Sequence, residues 1–301
     1  MAVQLGTYPA ATHVIAHLSD THFLDGGAPL GGRVDTVGAL AQAAAHLEHL
    51  GSALDAIVVT GDVADIGEPD AYRRVRAVLE PLAAAADASL VWVMGNHDER
   101  DAFRVGLLDQ DPAADAPVNH VTEVGGVRLI ALDSSVPGYH HGALEPETLE
   151  WLDAQLSDPA PQGTVVALHH APIPTPIALM DVLELRRQHE FADVIRGRDV
   201  RLILGGHLHY PTNGSFAGIP VSVAGATAYT MDVSAPARAL VGVDGGRSFN
   251  LVHLFEGHVV TSVVPIGRHA RVAGFEADFL DEIESLSPAD RVERFSRKRP
   301  A

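Results

Sequence analysis

Short apolar runs alternate with stretches of helical periodicity along most of the chain. The runs are four to seven residues long and rich in Val, Ile and Leu, which is typical of buried strands. The predicted strands are His13–Leu18, Ala56–Thr60, Leu90–Met94, Val127–Leu132, Thr164–Leu168, Arg201–Leu204, Ile219–Val223, Leu251–Phe255 and Val259–Val264.

Apolar residues recur at three- and four-residue spacing between several of these runs, and this spacing indicates helices. The predicted helices are Val34–Leu50, Pro69–Ala86, Pro146–Leu156 and Asp181–Ile195, with a further one near Phe279–Leu286. Alternating strands and helices predict an α/β layer architecture. The last strands follow each other without a helix between them, so we predict a mixed sheet.

Polar side chains follow five of the predicted strands, at the point where each strand ends. They are Asp20 and His22, then Asp62, then Asn96 and His97, then His169, and finally His207 and His209. In open α/β sheets, ligands bind beyond the carboxyl ends of the strands. We therefore expect these side chains to converge at one edge of the structure.

Carboxylate, imidazole and amide ligands suit a pair of transition-metal ions, with Fe and Mn as the first choices and Zn as the alternative. One ion is predicted to bind Asp20, His22, Asp62 and His209, and the other Asp62, Asn96, His169 and His207. Asp62 would bridge the two ions. Such a pair, about 3.5–4 Å apart, activates a water and clamps a phosphoryl group. The set predicts phosphoester hydrolysis, with a bridging water or hydroxide as the nucleophile.

Residues beside the ligands receive predicted catalytic or substrate-binding roles. Asn96 and His97 would contact the substrate phosphate, and His97 would stabilise developing charge or protonate the leaving oxygen. Asp65 would orient His97, or instead cap the helix that begins near Pro69. His140 lies in a Tyr-His-His-Gly segment, which is interpreted either as a substrate-side loop or as an exposed flexible loop.

Composition excludes several other classes of protein. The chain has no cysteine among 301 residues but 17 histidines, which rules out disulfides, thiolate zinc sites and iron–sulfur clusters. Its formal charge of −18 disfavours long nucleic acids as partners. No apolar run reaches the roughly 18 residues of a membrane span. The N-terminus lacks the pattern of a secretory signal, so we expect a cytoplasmic location.

Most of the other histidines are interpreted as surface or core residues. His170 follows His169 directly, and neighbouring residues on a strand point to opposite faces. We therefore expect His170 to support the site or the core rather than to bind a metal.

The motifs Asp-x-His, Gly-Asp, Gly-Asn-His-Asp, His and Gly-His-x-His occur here in an order that resembles the calcineurin-like metallophosphoesterase superfamily. The stretches Ala131–Ser134 and Asp199–Thr230 resemble its class III cyclic-nucleotide phosphodiesterase branch, and the resemblance runs from about His17 to Gly267. It implies a four-layer αββα sandwich of two mixed sheets flanked by helices, a cyclic-nucleotide substrate and a homodimer. Ile66 stands where protein phosphatases of the superfamily carry Arg, which argues against protein dephosphorylation.

We expect residues 1–270 to form the catalytic domain and residues 271–301 a C-terminal helix and tail. The predicted function is hydrolysis of 3′,5′-cyclic nucleotides such as cAMP. Two alternatives stay open: hydrolysis of other small diesters (2′,3′-cyclic nucleotides or glycerophosphodiesters), and a catalytically silent metal-bound interaction module.

Overall fold

The computed structural model describes residues 3–113, 116–236 and 238–298, and most of its strands form two mixed sheets. The strands are β1 (His13–Leu18), β2 (Ala56–Thr60), β3 (Ser89–Val93), β4 (His120–Val124), β5 (Val127–Leu132), β6 (Thr164–His170), β7 (Val200–Gly206), β8 (Thr212–Phe216), β9 (Ile219–Val223), β10 (Thr230–Met231), β11 (Gly242–Val243), β12 (Ser248–Phe255) and β13 (His258–Pro265). The helices are α1 (Thr36–Leu50), α2 (Pro69–Ala86), α3 (Arg100–Leu107), α4 (Pro146–Gln155), α5 (Gln188–Ile195), α6 (Ala277–Ser285) and α7 (Pro288–Arg291).

Both sheets combine parallel central strands with antiparallel strands. The first has the order β13-β12-β1-β2-β3, in which β1, β2 and β3 are parallel and β12 and β13 are antiparallel. The second has the order β4-β5-β6-β7-β9-β8, with antiparallel pairing of β4 and β8 at its two edges. The prediction of mixed sheets is confirmed.

The two sheets pack face to face, and helices cover their outer faces. Val58 of the first sheet and Val165 of the second belong to one buried apolar cluster between them. Tyr72 of α2 and Phe103 of α3 pack on the outer side of the first sheet, and Phe191 of α5 packs on that of the second. A strand buried on both faces must be apolar throughout, which explains the unbroken apolar runs. The four-layer αββα architecture is confirmed.

The predicted helix Asp181–Ile195 is wrong in its first half. Ala178–Leu183 forms a 3-10 helix, and α5 begins only at Gln188. The carbonyl of Glu184 accepts a hydrogen bond from the amide of Gly142, whose own carbonyl accepts one from the amide of Arg186. These two backbone bonds hold the segment to a distant loop, so its groups are not available to a continuous helix.

Sequence periodicity also missed α3 and the edge strands β4 and β8. The edge strands contain polar residues, as in Thr-Asn-Gly-Ser-Phe of β8, and are only partly buried. A strand with a solvent-facing side need not form an apolar run. The C-terminal helix near Phe279 is present as α6, where the ring of Phe279 stacks on Phe275 at 4.5 Å. None of the described helices is long and apolar enough to cross a membrane.

Acid should destabilise the fold because buried histidines must stay neutral. His17 is fully buried on β1, and burial lowers its pKa to about 3. The unfolded chain binds a proton there below a pH of about 6.5, so stability falls as the pH drops from 6.5 towards 3. The measurement is urea unfolding at several pH values, with matched metal content in both proteins. The free energy of unfolding should depend less steeply on pH in His17→Gln than in the wild type, by about 1.4 kcal/mol per pH unit.

The exposed residue His189 supplies the matched control, since its side chain is 77% exposed. His189→Gln should leave the slope unchanged. Equal slopes for His17→Gln and the wild type would contradict the prediction.

Candidate metal centre and active site

The carboxyl ends of parallel strands from both sheets meet at one edge of the sandwich. Hydrogen bonds join the two sheets there: Nδ1 of His169 lies 2.7 Å from the carbonyl oxygen of Thr60, and the backbone amide of His207 donates to Oδ2 of Asp20 at 3.2 Å. Because these bonds link ends of β6 and β7 to ends of β1 and β2, residues far apart in the chain share one site. The predicted convergence at one edge is confirmed.

Five of the predicted ligands have left-handed backbone conformation. Their φ values are 53° for Asp20, 46° for His22, 48° for Asp62, 69° for His207 and 58° for His209. Residues other than glycine rarely adopt this region, and such strain concentrates where function dictates the direction of a side chain. The strained turns place these side chains immediately after the strand ends.

Each predicted histidine ligand has one ring nitrogen bound to an acceptor of the protein. The pairs are His22 Nδ1 to Asp65 Oδ1 (2.9 Å), His169 Nδ1 to the Thr60 carbonyl (2.7 Å), His209 Nδ1 to the Tyr229 carbonyl (3.1 Å) and His207 Nε2 to the Leu183 carbonyl (3.1 Å). A neutral imidazole has one donor and one acceptor nitrogen. The bonded nitrogen is therefore the donor, and the other nitrogen of each ring is left with its lone pair free to bind a metal.

These atoms crowd together, and some of them have no hydrogen-bond partner among the described residues. Nε2 of His22 lies 3.1 Å from Nε2 of His209, and Nε2 of His169 lies 3.2 Å from Oδ2 of Asp62. Nε2 of His169, Oδ1 of Asp20 and Oδ1 of Asn96 are buried and have no hydrogen-bond partner among the described residues. Lone pairs that face each other in a buried site repel unless a cation or proton lies between them. The residues present therefore fit a bound cation.

The potential ligand atoms form two groups with one common member. Asp20, His22, Asp62 and His209 offer ligand atoms that all lie within 4.8 Å of one another, and so do Asp62, His169 and His207. Asp62 belongs to both groups. Asn96 lines the same cavity and directs its unpartnered oxygen into a buried position. The grouping follows the predicted division into two ligand sets, and the binding roles themselves stay predictions.

The charges at the site depend on Asp62. Burial lowers the pKa of His169, but the adjacent Asp62 carboxylate outweighs this effect and raises the pKa to about 9. Burial raises the pKa of Asp62, but the neighbouring imidazoles hold it well below its usual range. Burial lowers the pKa of His209 to about 4.

Asp98 holds the loops that carry Asp62 and Asn96. Its buried carboxylate accepts hydrogen bonds from the amides of Val63, Ala64 and Gly95 at 3.2, 3.0 and 2.9 Å. A side chain at Gly95 would place its Cβ 2.1 Å from the amide nitrogen of Asp62, so only glycine fits there. Sequence reasoning assigned Asp98 no role, although its place in Gly-Asn-His-Asp was a signal.

His97 is oriented by Asp65, but through a different atom than expected. Nδ1 of His97 lies 2.7 Å from the backbone carbonyl of Asp65 and 3.7 Å from its carboxylate. The carboxylate instead binds Nδ1 of His22. Asp65 does not cap α2, whose N-cap residue is Glu68. Nδ1 of His97 is the donor, so Nε2 is the atom available to a ligand.

His140 is an exposed residue that contacts the site. Its Nδ1 accepts a hydrogen bond from Nδ2 of Asn96 at 2.9 Å, and its ring lies 5.0 Å from that of His97. This contact turns the oxygen of Asn96 away from His140. The side chain of His140 is exposed, but these contacts connect it to the site, so the geometry favours the substrate-side interpretation of the loop.

A cavity of about 370 Å³ opens above these residues. Its wall beyond the ligands is apolar and includes Leu30, Met180, Leu183, Met231 and Leu240. Larger cavities lie elsewhere, of about 800 Å³ beside α2 and α3 and about 580 Å³ around α6, but none of the grouped potential ligands lines them. The cavity at the sheet edge combines the ligand cluster with space for a small molecule.

Tyr229 completes the wall and was missed by sequence reasoning. Its ring packs on His209 with 4.4 Å between centroids, and its carbonyl fixes the tautomer of that histidine. Burial and the nearby carboxylates raise the pKa of the phenol to about 12. Nothing in the local sequence pattern marks this residue, because it lies in a loop that follows β9.

The amino-acid sequence of this chain is similar to the sequences of several known phosphodiesterases. The chain is 48% identical over 268 residues to a cAMP/cGMP dual specificity phosphodiesterase of Mycobacterium tuberculosis, covering 89% of this chain and 84% of that protein. It is 47% identical over 272 residues to a probable cyclic nucleotide phosphodiesterase of Rhodococcus erythropolis, covering 90% of each. It is 32% identical over 223 residues to a glycerophosphodiester phosphodiesterase of Enterobacter lignolyticus, covering 72% and 78%.

The profile of one protein family covers the region that contains all the predicted metal ligands. This profile, calcineurin-like phosphoesterase, matches residues 13–211. The match includes strands β1 to β7, which belong to both sheets, and the strand ends that carry the site. The chain therefore belongs to the calcineurin-like phosphoesterase family.

Proposed function

We propose that this protein is a binuclear metal-dependent phosphodiesterase that hydrolyses 3′,5′-cyclic nucleotides to nucleoside monophosphates. The observation that carries the proposal is the pair of ligand groups that share Asp62, with buried acceptor atoms facing one another. The names of the two relatives that match about 90% of the chain support the choice of substrate.

The site would hold two transition-metal ions, with Fe or Mn favoured and Zn as the alternative, because its donors are carboxylate, imidazole and amide atoms. Asp20, His22, Asp62 and His209 would hold one ion. Asp62, Asn96, His169 and His207 would hold the other. When bound, such a pair lowers the pKa of a water and neutralises phosphoryl oxygens.

The protein's own residues then position the diester and its leaving group. Asn96, His97 and His140 lie side by side at the cavity and would contact the phosphate. Hydrolysis breaks the bond between phosphorus and one ribose oxygen, and that oxygen must gain a proton. His97 would deliver it from Nε2 in its doubly protonated form and become a neutral imidazole, because the hydrogen on Nδ1 is held by the carbonyl of Asp65.

The wall of the cavity suits the rest of a nucleotide. Leu30, Met180, Leu183, Met231 and Leu240 offer apolar contact to a planar base. The cavity of about 370 Å³ admits a small molecule. The net charge of −18 opposes approach of a long polyanion, so selectivity for a small anion follows from both features.

A second candidate is hydrolysis of other small diesters, namely glycerophosphodiesters or 2′,3′-cyclic nucleotides. The similarity to a glycerophosphodiester phosphodiesterase favours it over a silent interaction module. The loop residues that form the wall of the cavity determine which diester binds, and the fold alone does not determine it.

Three expectations complete the proposal. Residues 1–270 would form the catalytic domain and residues 271–301 an appended C-terminal helix and tail. The homodimer and the cytoplasmic location stay predictions from the sequence.

Metal titration tests the ligand sets independently of turnover. By calorimetry of metal-free protein, the wild type should bind two Mn²⁺ per chain. Asp62→Ala should lower the Mn²⁺ affinity of both sites, because it removes the shared ligand. The loss at each site should exceed the roughly 10- to 100-fold cost of losing a supporting contact. His209→Ala should weaken one site only.

The control is Asp193→Ala, which removes an exposed carboxylate whose side chain is 71% accessible. It should bind two ions like the wild type. Retention of both sites by a folded Asp62→Ala variant would overturn the assignment.

A substrate panel tests the reaction. With Mn²⁺, 3′,5′-cyclic nucleotides should show a higher kcat/KM than 2′,3′-cyclic nucleotides and glycerophosphodiesters. EDTA should abolish hydrolysis of bis(p-nitrophenyl) phosphate, and added Mn²⁺ should restore it. Preference for a glycerophosphodiester would select the second candidate, and the absence of turnover on every diester would select the interaction module.

The role of His97 predicts a loss of kcat. His97→Ala should lower kcat by about 100-fold or more, because it removes a positioned proton donor. His189→Ala, on an exposed side chain, should not change kcat. An unchanged kcat in His97→Ala would refute the proton-donor role.

A further inference from the structure

His170 is a buried histidine that the metal sites do not use. It lies 1% exposed at the end of β6, next to His169, and its ring packs against His207 at 4.5 Å. A neutral ring has one donor and one acceptor nitrogen, and both have partners here.

The hydroxyl of Ser134 sets the tautomer of His170. Its oxygen accepts a hydrogen bond from the backbone amide of His170 at 3.3 Å and lies 2.8 Å from Nδ1. Because that amide can only donate, the hydroxyl proton is free to be donated to Nδ1. Nε2 of His170 then carries the hydrogen and donates it to the carbonyl of His140 at 3.2 Å.

The hydrogen bond from His170 to the carbonyl of His140 connects His170 to the site, because the side chain of His140 contacts Asn96. Nδ1 of His140 accepts from the amide group of Asn96, whose oxygen is buried and without a partner. This chain of contacts joins Ser134, His170, His140 and Asn96. If the backbone at His140 moved, Asn96 would lose the contact that determines which of its two terminal atoms faces the site.

The loop closes tightly over the His170 ring. A Cβ at Gly142 would lie 2.4 Å from Cγ of His170, so a larger residue would push the loop outward. Gly142 also pairs through its backbone with Glu184 and Arg186. The segment that carries His140 is therefore held from both sides.

We propose that His170, its tautomer set by Ser134, is a positioning residue that holds His140 against Asn96 and thereby presents the Asn96 oxygen to the second metal site. The inference rests on the proposed function for the identity of that site. It assigns His170 no contact with substrate or metal.

A double-mutant cycle tests this role. His170→Phe keeps a ring against His207 but removes the hydrogen bond to His140. It should lower kcat and the affinity for the second Mn²⁺ by about tenfold each, the lower end of the cost of a lost supporting contact. In the His140→Ala background, the same change should add less than a twofold loss, because the imidazole that connects this loop to Asn96 is already absent. His170→Gln offers an amide donor in place of Nε2 and should recover most of the loss.

His13 provides a matched control. It is also buried, its Nδ1 lies 3.1 Å from a hydroxyl of Thr12, and its Nε2 lies 3.2 Å from the carbonyl of Gly125, far from the site. His13→Phe should leave kcat and both Mn²⁺ affinities unchanged. An equal loss in His13→Phe, or losses from His170→Phe and His140→Ala that multiply, would overturn the proposal.

Two further measurements keep the test decisive. If His170→Phe does not fold, Ser134→Ala replaces it in the same cycle, with the same non-additivity expected and multiplying losses again overturning the proposal. If the wild type hydrolyses no diester, the proposed function fails. The role of His170 is then tested by the affinity for the second Mn²⁺ in the same set of variants.

Discussion

The site depends on a fold that holds buried acceptor atoms close together around Asp62, although these atoms repel one another. A carboxylate oxygen and several imidazole lone pairs face one another within hydrogen-bond distance, away from water. Burial of polar groups without partners costs free energy of about 1–3 kcal/mol each, so the arrangement persists because the surrounding fold imposes it. A cation relieves the repulsion, which links metal binding to the stability of the folded state.

The sandwich of two sheets supplies that constraint. Strands from both sheets end at one edge, and the packed core between them allows little relative movement. Strained turns after β1, β2 and β7 direct the ligands inward. The carbonyls of Thr60, Leu183 and Tyr229 each accept a hydrogen bond from one ring nitrogen of a histidine, which leaves the other nitrogen of that ring free. The three histidines are His169, His207 and His209. Chemistry at the centre thus relies on many contacts that never touch a metal or a substrate.

The charge of the whole chain differs in sign from the charge expected at the metal centre. The chain carries a net charge of −18, yet the predicted ligand set contains only two carboxylates, Asp20 and Asp62, for the two proposed ions. A pair of divalent ions would leave the centre positive, and only an anion small enough for the cavity could reach it. Apolar side chains at the rim add affinity for an uncharged planar group.

The sequence by itself identified the residues that come together at the site, because polar residues after apolar strands are a local pattern that survives folding. Its apolar runs also predicted an α/β architecture, since strands buried on both faces need continuous apolar runs, and the four layers were implied by the resemblance of its motifs to the family. Only the tertiary structure decided which nitrogen of each histidine is free, that Asp65 orients His97 through its carbonyl, and that α5 starts late because the preceding segment pairs with Gly142. Periodicity reports short-range preferences, whereas these bonds join residues tens of positions apart and form only when the two sheets and their loops pack together.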